Sequence, residues 1–326
     1  MEGIQGNAAS QRSPFVLLVG GSGYVGLHLL QALACKASFK LAYTYTSHRL
    51  VASEVEQKLG LLPGYKVDLQ SGDGLVAISA SLGSPVVVIN CAAMSVPREC
   101  EANPSKAMDV NVPSRLVQWL ESLECTDPPL LIQFSSDQVY AGSKSFYLEE
   151  DETKPVNIYG QSKVAAEKFV KENWPNHVIL RSSIIYGPHP LIPVTKSLPV
   201  QWIDAELSKG KPVEFFHDEY RCPVFVKDIV YVIETLLSKC LSGEKHMQLL
   251  FNLGGPNRLS RAEMAEVVAE VRGYDISHIV RVPAASVNRG VASPADISMD
   301  IGRVVSSLKL NSTSFKDGVR QSLPVK

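Results

Sequence analysis

The stretch that decides the fold is "FVLLVGGSGYVGLHLLQALA", residues 15–34. It opens on a short apolar run rich in branched side chains that stops at glycines, the pattern of a strand buried on both faces. After Gly23 the apolar residues recur at helical spacing. Between strand and helix, Gly20, Gly23 and Gly26 fall three apart. A turn there lets the backbone approach a pyrophosphate, and the following helix offers unpaired N–H groups with a partial positive charge. The plainer reading is a tight turn that needs glycine only for its positive φ.

The same strand-then-helix alternation continues outward. "LAYTYT" (41–46), "VVVINCAA" (86–93), "LLIQFSS" (130–136) and "HVILRSSIIYG" (177–187) read as strands, with "RLVASEVEQKL" (49–59) and "PSRLVQWLESL" (113–123) as helices. Such alternation predicts an α/β fold, a doubly wound parallel sheet with helices on both faces. The pattern loosens at "PHPLIPVTKSLPV" (188–200). We therefore expect a tail over 1–13, a sheet domain over 14–183 with 224–243 packing back onto it, and a smaller C-terminal α/β part from 184–223 and 244–326 that covers the strand ends.

Composition narrows the partners. The 326 residues are 45% hydrophobic with a net charge of -1, so the chain can bury a full core and lacks the basic surface that phosphate-backbone binding needs. Nucleic acid is not an expected partner. Six cysteines form no C-x-x-C pair, which suits a reducing compartment. The first 13 residues lack an apolar h-region and no run is long enough to span a bilayer, so a cytoplasmic protein without a membrane partner is expected. No His/Cys/carboxylate cluster has the spacing of a metal site.

Two further stretches carry chemistry. In "NIYGQSK" (157–163), Tyr159 and Lys163 stand four apart, on one helix face. A nearby ammonium favours phenolate, so the spacing predicts a phenol with a lowered pKa, tuned for proton transfer. In "FSSDQVY" (134–140), Ser135 and Ser136 end a buried strand, where open α/β sheets place their ligands. An amphipathic helix face and an ordinary strand terminus are the bland alternatives. At the second strand end, Ser47, His48 and Arg49 replace the acidic residue that holds a ribose lacking a 2′-phosphate, which favours NADP(H) over NAD(H). A solvated basic loop explains them as well. Asp68, at a third strand end, is either an adenine contact or a turn cap.

In this order, the glycine turn, "NCAA", "SSDQVY" and YxxxK resemble the extended short-chain dehydrogenases/reductases, from about Phe15 to Val305. The resemblance implies a Rossmann domain holding NADP(H), with NAD(H) possible. It makes Ser136 the hydroxyl on the substrate carbonyl, Tyr159 the acid, and Lys163 both its tuner and a ribose ligand. Gly20, Gly23, Tyr24, Val25, Gly26, Ser47, Arg49, Asp68, Cys91, Ala92, Ala93 and Asn111 fall at cofactor positions, Asn111 also shaping the active-site helix. Ser95, Asp137 and Arg221 fall at substrate positions, although Arg221 has Asp218 and Glu219 beside it as possible pairing partners.

Two branches of the family are similar to this chain. One is dTDP-4-dehydrorhamnose reductase, which implies an oxidoreductase with a 4-keto nucleotide-sugar substrate. The other is the regulatory β subunit of methionine adenosyltransferase, which implies a catalytic-subunit partner and no turnover. The reductases' "VDxAE" is here "PRECE" (97–101), with proline as in the regulatory subunits, and their "RP" is here Ser293-Pro294. A nucleotide-sugar epimerase or dehydratase is the weaker third reading.

Overall fold

The computed structural model describes residues 14–47, 50, 58–60, 62–194 and 198–324. Six strands come first: β1 (Phe15–Val19), β2 (Lys40–Tyr45), β3 (Gly64–Lys66), β4 (Val87–Asn90), β5 (Leu130–Ser136) and β6 (His177–Ser182). Short strands β7 (Ile185–Tyr186), β8 (Val213–Phe216), β9 (Tyr220–Arg221) and β10 (Val224–Phe225) follow, and β11 (Gln248–Leu253) then rejoins the main sheet. Its order is β11-β6-β5-β4-β1-β2-β3, every neighbour parallel. The chain reverses its direction of winding between β1 and β4. That is the switch point where open sheets leave a crevice beyond the strand ends.

Alternate residues of β1 feed two cores. Val16 and Leu18 face the helices Tyr24–Leu33 and Val226–Leu241. Phe15, Leu17 and Val19 face the other side, with Leu75 and Ile78, Leu116 and Leu120, and Val170 of the helices there. An apolar strand between two helical layers is what the continuous run FVLLV dictates.

Two expectations are revised. The stretch 177–187 is not one strand: β6 stops at Ser182 and β7 pairs instead with β10, away from the main sheet. "QLLFNL", counted from sequence with the smaller part, is β11, paired to β6 along its whole length. The helix expected over 49–59 lies mostly outside the described residues, as does the tail.

The smaller part has its own core around Tyr186, Phe215, Phe225, Met264 and Phe315. There β12 (Leu259–Ser260) pairs antiparallel with β9, and β13 (Ile279–Val282) pairs with β8. It is stitched to the loop after β5. Phe146 N–H donates to Ser298 Oγ at 2.9 Å, Ser145 Oγ to Asp296 at 2.7 Å, and Asn157 Nδ2 to the Ala292 carbonyl at 3.0 Å.

Candidate active site

The glycine turn is built by close approach. Gly20 holds φ +80°, and a Cβ on it would sit 2.9 Å from the Ala92 backbone; one on Gly26 would sit 2.5 Å from the Gly20 carbonyl. Gly23 is different, since a Cβ there meets only the Gly20 carbonyl, at 3.4 Å. Gly23 is also the N-cap of the helix Tyr24–Leu33, with no side chain capping it and no acidic residue in the first turn. The first-turn amides of Tyr24, Val25 and Gly26 are thus available to an anion. A dinucleotide pyrophosphate fits such a cradle. The Tyr24 phenol points elsewhere, donating to the Pro188 carbonyl at 3.0 Å.

The segment Cys91, Ala92, Ala93 leaves β4 directly beside that turn, with Cys91 N–H on the Val19 carbonyl at 3.0 Å. Ser47 is exposed just beyond β2, and Arg49, like His48, lies outside the described residues. Asp68 is exposed and its Oδ1 accepts from Gln70 N–H at 2.8 Å, so it does cap its own turn. Ser95 is exposed near the end of the loop between β4 and the helix Pro97–Ala102.

The helix Ile158–Asn173 carries both Tyr159 and Lys163, and its start is fixed from three sides. Asn157 Oδ1 accepts from Gly160 N–H at 2.8 Å, and Glu101 Oε1 accepts from Ile158 N–H at 2.9 Å. A Cβ on Gly160 would lie 2.2 Å from the Gln138 carbonyl, so the glycine lets this first turn rest on the turn that follows Ser136. The Tyr159 phenol is thereby brought near enough to Ser136 for the serine hydroxyl to act on its ionisation. Asn111, fully buried, braces the arrangement: its side chain joins Met94 N–H at 2.8 Å to Ser162 Oγ at 2.8 Å.

The electrostatics depart from expectation. Burial pushes the Tyr159 phenol well above its ordinary range, aided by Asp137 and Cys100 and opposed by the Ser136 hydrogen bond. The expected lowering by Lys163 does not occur. Its ammonium, itself buried, turns to the Phe134 carbonyl at 3.1 Å and stands 5.8 Å from the Tyr159 ring centre. Burial pulls Lys163 down to about 8. Desolvation outweighs the groups that favour the ammonium, Cys91, Glu167 and Cys100. The phenol is therefore a firmly protonated donor at neutral pH.

Several contributors escaped the sequence reading. Glu167, one turn beyond Lys163, is buried and takes a two-pronged ion pair from Arg181 of β6 at 2.9 and 2.7 Å, plus the Ser135 hydroxyl at 2.6 Å. Arg181 goes on to the Tyr140 hydroxyl at 2.8 Å. Glu101 is the last residue of "PRECE", where the departures at Pro97 and Arg98 drew attention away from a capping carboxylate. A Glu four residues past Lys163 and an Arg inside an apolar strand were the available signals.

On the substrate side, Asp137 accepts from Ser136 Oγ at 3.1 Å and from Ser183 Oγ at 2.8 Å, and burial raises its carboxyl. Arg221 is 1% exposed. It binds the carbonyls of Tyr220, Ala295 and Pro294 at 2.7, 3.2 and 2.9 Å and Ser293 Oγ at 3.2 Å, and forms no hydrogen bond with Asp218 or Glu219. Asp218 instead receives Ala284 N–H, and Glu219 pairs with Arg289. Among the described residues no group of His, Cys, Asp and Glu has a metal-site arrangement, and no helix is long and apolar enough to cross a membrane.

The family described as "RmlD substrate binding domain" matches residues 15–325. A probable low-salt glycan biosynthesis reductase of Haloferax volcanii is 28% identical over 273 residues, 83% of this chain and 81% of that protein. Methionine adenosyltransferase 2 subunit beta of Bos taurus is 28% identical over 241 residues, 73% of this chain and 70% of that protein. Among solved structures, a hypothetical dTDP-4-dehydrorhamnose reductase from Sulfolobus tokodaii superposes with a TM-score of 0.75 at 26% identity, covering 93% of this chain and 98% of that one.

Proposed function

Because the chain belongs to the RmlD substrate-binding domain family, we propose that it is an NADP(H)-dependent reductase of a 4-keto nucleotide sugar. One observation carries this reading: a Tyr159 phenol kept protonated by burial and close enough to Ser136 to feel its hydroxyl, with the Lys163 ammonium 5.8 Å from its ring. The nicotinamide cofactor, when bound, supplies hydride to the carbonyl carbon. The chain supplies the rest. Ser136 Oγ turns its one hydrogen from Asp137 to the carbonyl oxygen, and Tyr159 Oη gives its proton to the alkoxide as it forms.

The first-turn amides of the helix Tyr24–Leu33 would hold the pyrophosphate, Ser47 and Arg49 the 2′-phosphate, and Lys163 the ribose. Until a carbonyl arrives, Asp137 holds the Ser136 hydroxyl through the 3.1 Å contact. A phenol held protonated by burial suits reduction, which consumes a proton. Incubation with NADPH and a panel of 4-keto sugar nucleotides tests the reading; cofactor oxidation with at least one is expected, with NADPH preferred over NADH.

The second reading is a non-catalytic NADP-binding regulatory subunit of methionine adenosyltransferase. Pro97, at the start of its helix, and the likeness to the bovine subunit favour it. Absence of oxidation with every sugar, together with co-purification of a methionine adenosyltransferase, decides for it.

A further inference from the structure

Around the substrate side of the cleft stand three arginines whose pairing is unequal. Arg289 occupies both oxygens of Glu219. Arg221 is spent on backbone carbonyls and Ser293, as described above, with Asp137 as the largest charge acting on it in favour of its cationic form. Arg261 has neither kind of partner. It opens the helix Arg261–Arg272, directly after Ser260, and Ser260 faces Tyr220 across the β9–β12 pair. Glu219, the carboxylate whose charge most favours the Arg261 cation, is already filled by Arg289.

Among the described residues no hydrogen bond or ion pair engages Arg261, although it is half-buried. Burial and the neighbouring Arg221 pull its guanidinium down to about 10, so it keeps its charge at neutral pH. Asp137, which touches the Ser136 hydroxyl, is among the groups whose charge Arg261 feels. A desolvated cation with no carboxylate bonded to it is costly, and a second donor in the cluster, Arg221 Nε, is buried without an acceptor. The cluster is short of anionic acceptors, and its open member shares the field of Asp137, the carboxylate that Ser136 touches.

We propose that Arg261 is the specificity-determining residue that receives the anionic half of the substrate, the phosphoryl oxygens of a nucleoside diphosphate. The assignment rests on the nucleotide-sugar reading above and moves the phosphate-binding role from Arg221, which clamps the 293–295 loop, to Arg261. A guanidinium fork matches two phosphoryl oxygens, which a lysine at the same place does not.

The test is binding rather than turnover. The whole protein, with NADP+ present to fill the glycine turn, is titrated with inorganic pyrophosphate, dTDP and UDP at two salt concentrations. Wild type is expected to bind, more tightly to a nucleoside diphosphate than to pyrophosphate and more weakly at high salt. Arg261→Gln should lose about 10- to 100-fold in affinity, Arg261→Lys should keep part of it, and Arg281→Gln, an exposed residue paired with Glu266, should lose none. Arg261→Gln should melt no lower than wild type, since it removes an unpaired charge. Equal affinity in wild type and Arg261→Gln overturns the proposal, as does a wild type that binds none of the three probes. If Arg261-dependent binding is present but no 4-keto sugar oxidises NADPH, the reductase reading fails and this assignment stands.

Discussion

The two halves of the cleft are made in different ways. On the cofactor side the site is backbone: glycines that let a turn close against Ala92 and leave a helix end uncapped. On the substrate side it is side chains brought from segments that the sequence separates by tens of residues, with Arg221 holding the carbonyls of Pro294 and Ala295. A backbone site is specified by what is missing, and each missing Cβ can be read locally. A charged site is specified by which partner each charge finds, and only the folded chain settles that.

If this contrast is right, substitutions on the two sides should fail differently. The largest stability effect is expected on the substrate side. Arg221→Met takes a donor from three carbonyls, two of which keep a backbone N–H, and removes the cation that most offsets the burial of Asp137, at a cost of about 3–5 kcal/mol, read as a lower urea midpoint. A cost near zero would show that the clamp is dispensable.

Lys163 sits where the two halves meet. Its folded value of about 8 lies below that of an unfolded lysine. Between those two pH values the unfolded chain binds the extra proton, so stability rises with pH across the window from about 8 to about 10.4. The rise amounts to roughly 3 kcal/mol at most. Urea titrations at both ends of the window should show it in wild type and not in Lys163→Met. A parallel rise in both proteins would place its source elsewhere.

The cofactor side offers the smallest and sharpest pair. Gly26→Ala drives a Cβ to 2.5 Å from a carbonyl and should cost about 1–3 kcal/mol. Gly23→Ala meets only a 3.4 Å contact and should stay within about 1 kcal/mol of wild type. It should nonetheless weaken NADPH binding about tenfold, because it narrows the space over the helix end. Equal melting temperatures for the two variants would refute the steric account of the turn.

What was legible in the sequence follows the same divide. FVLLV, the glycine spacing, "LLIQFSS" and the Tyr159–Lys163 pair could be read because each is local: a run, a turn, one helical face. The membership of "QLLFNL" in the main sheet could not be read, since β11 joins β6 across a separation of about 70 residues. Nor could the Arg181–Glu167 pair, the capping role of Glu101, or the position of Arg221. The direction of the Tyr159 shift was misjudged for a related reason. Spacing shows that an ammonium is near, but not that a buried carbonyl has claimed it.

The central claim is that the Tyr159 phenol, protonated and close to Ser136, delivers the proton that completes hydride transfer. The direct test is single-turnover oxidation of bound NADPH by a 4-keto sugar nucleotide, comparing wild type with Tyr159→Phe after matched cofactor affinity has been verified. The account predicts a rate lower by a factor of about 10²–10⁴ in the variant. An unchanged rate would contradict it.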